Sequence, residues 1–105
     1  MIAIIRYNAG NIKSVQNALT RLGFKSIITD DPAELNNADK VIFPGVGEAS
    51  SAMHYLRARG LDNTIRSLKQ PVLGICLGLQ LMCRYSEEAN TDCLGIFDSD
   101  VRLFP

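Results

Sequence analysis

The sequence predicts an α/β fold in three layers, a parallel sheet with helices on both faces. Two observations carry that prediction. Short β-rich apolar runs alternate with segments of helical periodicity, the pattern of βαβ units. The runs are continuously apolar, as strands must be when helices cover both of their faces. Crossovers between such strands are right-handed, and functional groups collect at the strands' carboxyl ends.

"IAIIRY" (2–7) is the first strand. "NAGN" (8–11) follows as a turn, with Gly10 as its permissive residue. Ile12, Val15, Ala18, Leu19 and Leu22 share one helical face, and Gly23 stands where a helix C-terminus is capped. Residues 11–22 are therefore expected to form an amphipathic helix. "KSIIT" (25–29) is the second strand. "DDPAEL" opens a helix, with Asp31 as cap, Pro32 at the first helical position and Glu34 three residues past the cap. "KVIF" (40–43) is the third strand, ended by Pro44 and the glycine-rich loop "PGVG" (44–47). A longer helix is expected from Glu48 to Gly60, its buried stripe formed by Ala49, Ala52, Met53 and Leu56. Residues 61–70 read as a further helix before Pro71, and "VLGI" (72–75) as the fourth strand. A fifth helix over about 77–85 follows with no linker, and a strand is expected near 100–104. Three loops thus lie at carboxyl ends of strands: "NAGN", "PGVG" and the turn at Cys76.

Composition narrows the function classes. With 105 residues the chain has the size of one small domain, and an apolar content of 47% supports a packed core. Eleven basic residues balance eleven acidic ones with no basic stripe, so nothing points to nucleic acid. No apolar run approaches the ~18 residues of a membrane span. "MIAIIRYNAG" lacks the basic leader and cleavage site of a signal peptide. The cysteines are Cys76, Cys83 and Cys93, an odd number without paired spacing, which gives neither a disulfide framework nor a zinc CxxC. Free thiols suit a cytoplasmic location. No metal and no cofactor are expected.

The chemistry gathers at "GICLG" (74–78). A nucleophile elbow is a tight strand-to-helix turn, with the nucleophile in strained backbone geometry. Strand and helix pass so close there that small residues must flank it, the mechanical content of G-x-S-x-G. Gly74 and Gly78 hold the flanking places and Cys76 the centre. Unpaired N–H groups at the helix start favour an anion, and the Leu77 N–H is placed to bind a developing oxyanion. A free cysteine is also among the most buried residue types, and glycine flanks alone do not separate the two readings. Placement at the strand–helix junction favours the nucleophile. Cys83 falls inside the expected helix and Cys93 in a later loop, so both read as unreactive thiols.

"PGVG" reads either as an ordinary βα turn or as part of the same site, with the N–H groups of Val46 and Gly47 turned to a substrate carbonyl oxygen. The base is missing. A cysteine hydrolase usually carries a histidine oriented by a carboxylate or amide. The one histidine, His54, lies on the polar side of the 48–60 helix and reads as a solvated surface residue.

"YNAGNIKSV", "FPGVGEASSAM", "GICLGLQLM" and "LGIFDSDVRLFP" together resemble the N-terminal half of the class I (triad-type) glutamine amidotransferases. "PGVG" with "GNIKSV" is similar, more narrowly, to the glutaminase subunits of imidazole glycerol phosphate synthase in histidine biosynthesis. The resemblance implies the flavodoxin-like fold of that family, truncated. It also implies a mechanism. Cys76 would attack the glutamine side-chain amide, release ammonia and form a glutamyl thioester that water hydrolyses. The ammonia would pass to a (β/α)8-barrel cyclase subunit, the heterodimer partner. By the same resemblance Gly45, Val46 and Gly47 form the oxyanion strand beside Leu77, and Gln80 and Glu88 bind the glutamine. For Glu88, a solvated charge at a helix end is the competing reading.

The chain departs from the family in two ways. "RYNAGN" lacks the usual acidic residue after the first strand. The family is also roughly twice as long, its catalytic His-x-Glu pair lying in the second half. Residues 1–105 are thus expected to be the N-terminal part of an amidotransferase domain, with negligible glutaminase activity alone. An open sheet edge and a bare apolar face are expected, covered by self-association with another copy. Two other readings stay open: another amidotransferase or cysteine-elbow hydrolase on this scaffold, or a non-catalytic interaction module.

Overall fold

Strands that are apolar on both faces belong at the middle of a covered sheet, and β1 (Ile2–Ile5) sits there, with Ala3, Ile4 and Ile5 fully buried. The computed structural model describes residues 1–9 and 11–104, so the turn role expected of Gly10 lies outside the described residues. β1 pairs in parallel with β2 (Ser26–Thr29) through Ile2↔Ser26 and with β3 (Lys40–Phe43) through Ile2↔Lys40. β3 pairs in parallel with β4 (Val72–Gly74) through Val41↔Val72. The order β2-β1-β3-β4 reverses direction at β1. That reversal is the switch point where parallel α/β sheets place their sites.

Right-handed crossovers then fix the layers. The connection from β1 to β2 puts α1 (Ile12–Arg21) on one face, where it packs on β2. The connections to β3 and β4 run the other way. They put α2 (Pro32–Asn37), α3 (Ala49–Ala58) and α4 (Leu61–Ser67) on the opposite face, and α5 (Leu77–Met82), which follows β4, packs into the same core. The main core lies there, where Ala3, Ile5, Val41 and Phe43 meet Leu35, Met53, Leu56, Leu61, Ile65 and Leu81. The α3 stripe is buried as expected, at Ala49, Ala52, Met53 and Leu56.

Local chemistry sets the helix ends. Gly23, at φ 87°, closes α1: its N–H donates to Thr20 O and the Phe24 N–H to Leu19 O, the two bonds of a Schellman cap. The Asp31 carboxylate accepts from the Ala33 N–H at 3.0 Å, as a helix cap should. Glu34 does not reach back to the Asp31 N–H directly. The Thr29 hydroxyl lies between them, accepting from Asp31 N–H and donating to Glu34. Glu48 lies outside α3 as its cap, its carboxylate accepting from Ser50 and Ser51 N–H groups. Arg6, just past β1, donates its N–H to Thr29 O and its guanidinium to Asp30 at 3.2 Å. It therefore extends the ladder and makes a surface ion pair of small energetic weight.

Several expected boundaries change. The first strand stops at Ile5. α4 ends at Ser67, and Gln70 turns back to donate to Leu35 O and Ala38 O at the end of α2. α5 stops at Met82, and Cys83 opens β5 (Cys83–Ser86) instead of continuing the helix. The cause is tertiary. Residues 93–95 donate to the carbonyls of Leu81, Cys83 and Arg84, which helix continuation would have needed. β5 is the middle of a second sheet, antiparallel to β6 (Thr91–Asp92) and parallel to β7 (Phe97–Val101). The closing strand is therefore at 97–101, in that second sheet. Arg84 locks β5 to β7 by donating twice to Asp100, at 3.1 and 2.8 Å.

The second face of the main sheet is only partly covered. No residue of α1 is fully buried, and Leu22, expected on its buried stripe, is 71% exposed. Beside β4 lies an apolar trough of about 220 Å³ lined by Ile2, Ile42, Val72 and Leu73 among others. This is the open face and edge anticipated from the sequence.

The two faces should respond differently to truncation. Leu56→Ala, at a fully buried position, is expected to lower stability by about 3 kcal/mol, and Leu73→Ala by less than about 1 kcal/mol. Urea denaturation of the two variants checks the contrast.

Candidate active site

β4 ends at Gly74 and α5 begins at Leu77, leaving two residues to turn the chain. Cys76 takes φ 50° and ψ −119°, a backbone state that costs a non-glycine residue of order 1–3 kcal/mol. Its side chain is exposed. The neighbouring glycines are required by space. A methyl built on Gly78 would sit 1.8 Å from the Phe43 carbonyl oxygen, and one on Gly74 would sit 2.8 Å from Leu79 Cα. The Ile75 N–H donates to that same Phe43 oxygen, and the Gly78 N–H to Ile75 O. The elbow is thus pressed against the carboxyl end of β3, as the glycine spacing predicts.

The same contact brings the "PGVG" loop onto the elbow. The Leu77 N–H donates to Gly45 O at 3.0 Å. This corrects the simple expectation for Leu77, since its N–H is occupied by a protein carbonyl and not open to a substrate. Turning the Gly45–Val46 peptide over would free that N–H and bring the Val46 N–H toward the same point. Gly45, at φ 155°, lowers the cost of that turn on its own side of the peptide. Among the described residues, the N–H groups of Val46 and Gly47 have no hydrogen-bond acceptor. Val46 is 46% exposed, so both can be offered outward.

The other predicted residues fall into place unevenly. Gln80 is exposed on α5, one turn past Cys76, and its N–H donates to Cys76 O. Glu88 is not at a helix end, because the expected fifth helix stops short of it. It lies in a 3-10 turn (Glu88–Asn90) between β5 and β6, and its Oε1 accepts from the Ala49 N–H at the start of α3. That bond ties the second sheet to the helix that follows "PGVG". His54 is exposed on α3 and lines a polar depression with Ser50, Arg57, Asn90, Thr91 and Asp92, to which Cys76 does not contribute. Burial pushes the Cys83 thiol up, with Asp100 adding to the effect, and burial likewise raises Cys93. Both are therefore held as neutral thiols, as expected.

Tyr7 is a residue that sequence reasoning missed. It is buried just beyond β1, and its hydroxyl donates to Pro44 O, directly before Gly45. Its ring packs on Phe43 with centroids 5.2 Å apart. A tyrosine after a strand gives no sign in sequence of which loop it will meet.

The family of CobB/CobQ-like glutamine amidotransferase domains matches residues 2–104. The imidazole glycerol phosphate synthase subunit HisH of Bacteroides fragilis is 62% identical over 103 residues, covering 98% of this chain and 53% of the relative. The subunit of the same name from Staphylococcus saprophyticus is 49% identical over 102 residues, covering 96% of this chain and 52% of the relative. A crystal structure of a glutamine amidotransferase superposes with a TM-score of 0.78 over 96% of this chain and 55% of that one. Its identity of 21% makes this a likeness of fold. The chain spans about half the length of the curated relatives it matches.

Two outcomes follow from the geometry. Iodoacetamide at pH 7.5 should modify exposed Cys76 first and buried Cys93 last, since a raised thiol has less thiolate at any given pH; peptide mass spectrometry over time gives the order. Gly78→Ala should cost about 3 kcal/mol or more, because backbone flanks the new methyl and cannot yield. Soluble yield and urea midpoint measure that loss.

Proposed function

We infer the function of this chain from the family to which it belongs, the CobB/CobQ-like glutamine amidotransferase domains. It carries the nucleophile and oxyanion loop of a glutaminase of the imidazole glycerol phosphate synthase type. The observation that carries this reading is the strained, exposed Cys76 wedged between glycines that have no room for a side chain, with the "PGVG" loop bonded to the residue after it. In this reading the Cys76 sulfur attacks the side-chain amide carbon of glutamine, forming a C–S bond. The carbonyl oxygen becomes an oxyanion held by the N–H groups of Leu77 and Val46 once the Gly45–Val46 peptide has turned. The C–N bond then breaks, and ammonia leaves with a proton returned by the base. Water cleaves the glutamyl thioester, giving glutamate and restoring the thiol.

Gln80 and Glu88 are the proposed glutamine contacts, an amide one turn past the nucleophile and a carboxylate for the α-ammonium group. The base is taken to come from the part of the relatives' length that this chain does not span. His54 is not proposed for that role. Ammonia is passed to a cyclase subunit built as a (β/α)8 barrel, and a free exposed thiol fits a reducing cytoplasm. For residues 1–105 taken alone, the bare trough at Leu73 promotes self-association.

The test has two arms. A diazo-ketone analogue of glutamine should label Cys76 in this chain and leave Cys76→Ser unlabelled; equal labelling of both would refute the nucleophile. Glutamine hydrolysis, followed as ammonia release, should be negligible for the chain alone. It should rise at least about a hundredfold when the chain is co-expressed with the C-terminal half of the Bacteroides fragilis relative. Full activity of the chain alone would place the base within these residues.

A further inference from the structure

The "PGVG" loop must change shape to be useful, yet both of its ends are held. At the far end, the Glu48 carboxylate accepts from the Ser50 and Ser51 N–H groups, and Asn8 Nδ2 donates to Ser51 O at 3.3 Å. At the near end, Pro44 is buried and has no N–H of its own. Its carbonyl has one partner among the described residues, the Tyr7 hydroxyl. That hydroxyl fills the space above Gly45: a methyl there would lie 2.0 Å from it. Tyr7 is 5% exposed. Burial raises its phenol above the ordinary range, so the hydroxyl stays a donor at working pH.

We propose that Tyr7 is a positioning residue for the oxyanion loop: its hydroxyl pins the Pro44 carbonyl so that movement is confined to the Gly45–Val46 peptide. The proposal rests on the reading of this loop as the oxyanion hole. Its physical logic is a fixed pivot. With the Pro44 carbonyl anchored, turning one peptide replaces the Gly45 carbonyl at Leu77 by an N–H group, and both donors converge on one point. Without the anchor, a buried carbonyl is left unpaired and the loop drifts as a whole. Catalysis of this kind tolerates little displacement of its donors. Tyr7 would touch neither glutamine nor Cys76. It acts through the loop, and it links the backbone just past β1 to the donors after β3.

Tyr7→Phe removes the hydroxyl and keeps the ring on Phe43, so it isolates the bond. Two ratios are read on the same sample. The first is hydrogen exchange at the Leu77 amide relative to the Ile4 amide in β1; it should rise about fivefold, the size expected for one net hydrogen bond. The second is the rate of Cys76 labelling by the diazo-ketone glutamine analogue relative to iodoacetamide. It should fall by about the same factor, since only the analogue has the glutamine backbone that seats its carbonyl oxygen at the loop, whereas iodoacetamide alkylates the sulfur by losing iodide without being seated there. If either ratio stays at its wild-type value, Tyr7 is not a positioning residue. If the analogue fails to label Cys76 in the wild-type chain, the glutamine reading falls and the exchange ratio alone decides on Tyr7. Should Ile4 protection fall in parallel with that of Leu77 in Tyr7→Phe, the hydroxyl stabilises the fold as a whole and the proposal is overturned.

Discussion

The contact between Gly78 and the Phe43 carbonyl oxygen governs the rest of the molecule. It brings the first turn of α5 onto the backbone end of β3 with no side chain between them. Packing at that distance leaves two residues, Ile75 and Cys76, to reverse the chain, and one of them must take a strained conformation. The strain falls on Cys76 and turns its sulfur outward. Strained φ/ψ of this kind persists only where the surroundings over-determine it. Here the over-determination comes from the Ile75 and Gly78 hydrogen bonds and from the filled core beneath Leu77 and Leu81.

The second consequence of that contact is a shared hydrogen bond. Because α5 is pressed to the end of β3, the loop leaving β3 has to cross the elbow, and Gly45 lends its carbonyl to Leu77. The arrangement is stable in itself and chemically closed. An N–H already satisfied by protein has nothing to offer an oxyanion, and satisfying it avoids the penalty of an orphaned donor. In the proposed mechanism, Gly45 is what lets this closure open again. On that proposal a resting state and a working state lie within one peptide's rotation of each other, and Tyr7 and Glu48 bond the flanks of the turning peptide.

Much of the architecture was legible in the sequence because its signals are local. Continuous apolar runs, the Asp31–Pro32 helix start, the Gly23 cap and the α3 stripe each declare themselves within a few residues. The two glycines around Cys76 announce a close approach without saying to what. What was not legible depends on partners distant in sequence. "CRYS" has no helix breaker, and it leaves the helix because residues 93–95 take over the carbonyls at and beyond the helix end. Glu88 looks like a solvated charge until the second sheet carries it to the start of α3. Tyr7 and Gly45 meet only because β1 and β3 are neighbours in register, which no single sequence displays.

The exposed edge of β4 has a consequence for how this chain would meet another copy of itself. A free strand edge is a template for backbone pairing, and long flat edges invite fibrous growth. This edge is three residues long, follows a proline that cannot donate a hydrogen bond, and runs straight into the elbow. It offers too few groups to propagate a ladder. Leu73 and its neighbours, by contrast, present an apolar surface that side chains can cover without any backbone register. Contacts between copies would then be greasy, saturable and reversible by dilution, not the open-ended stacking of cross-β assemblies.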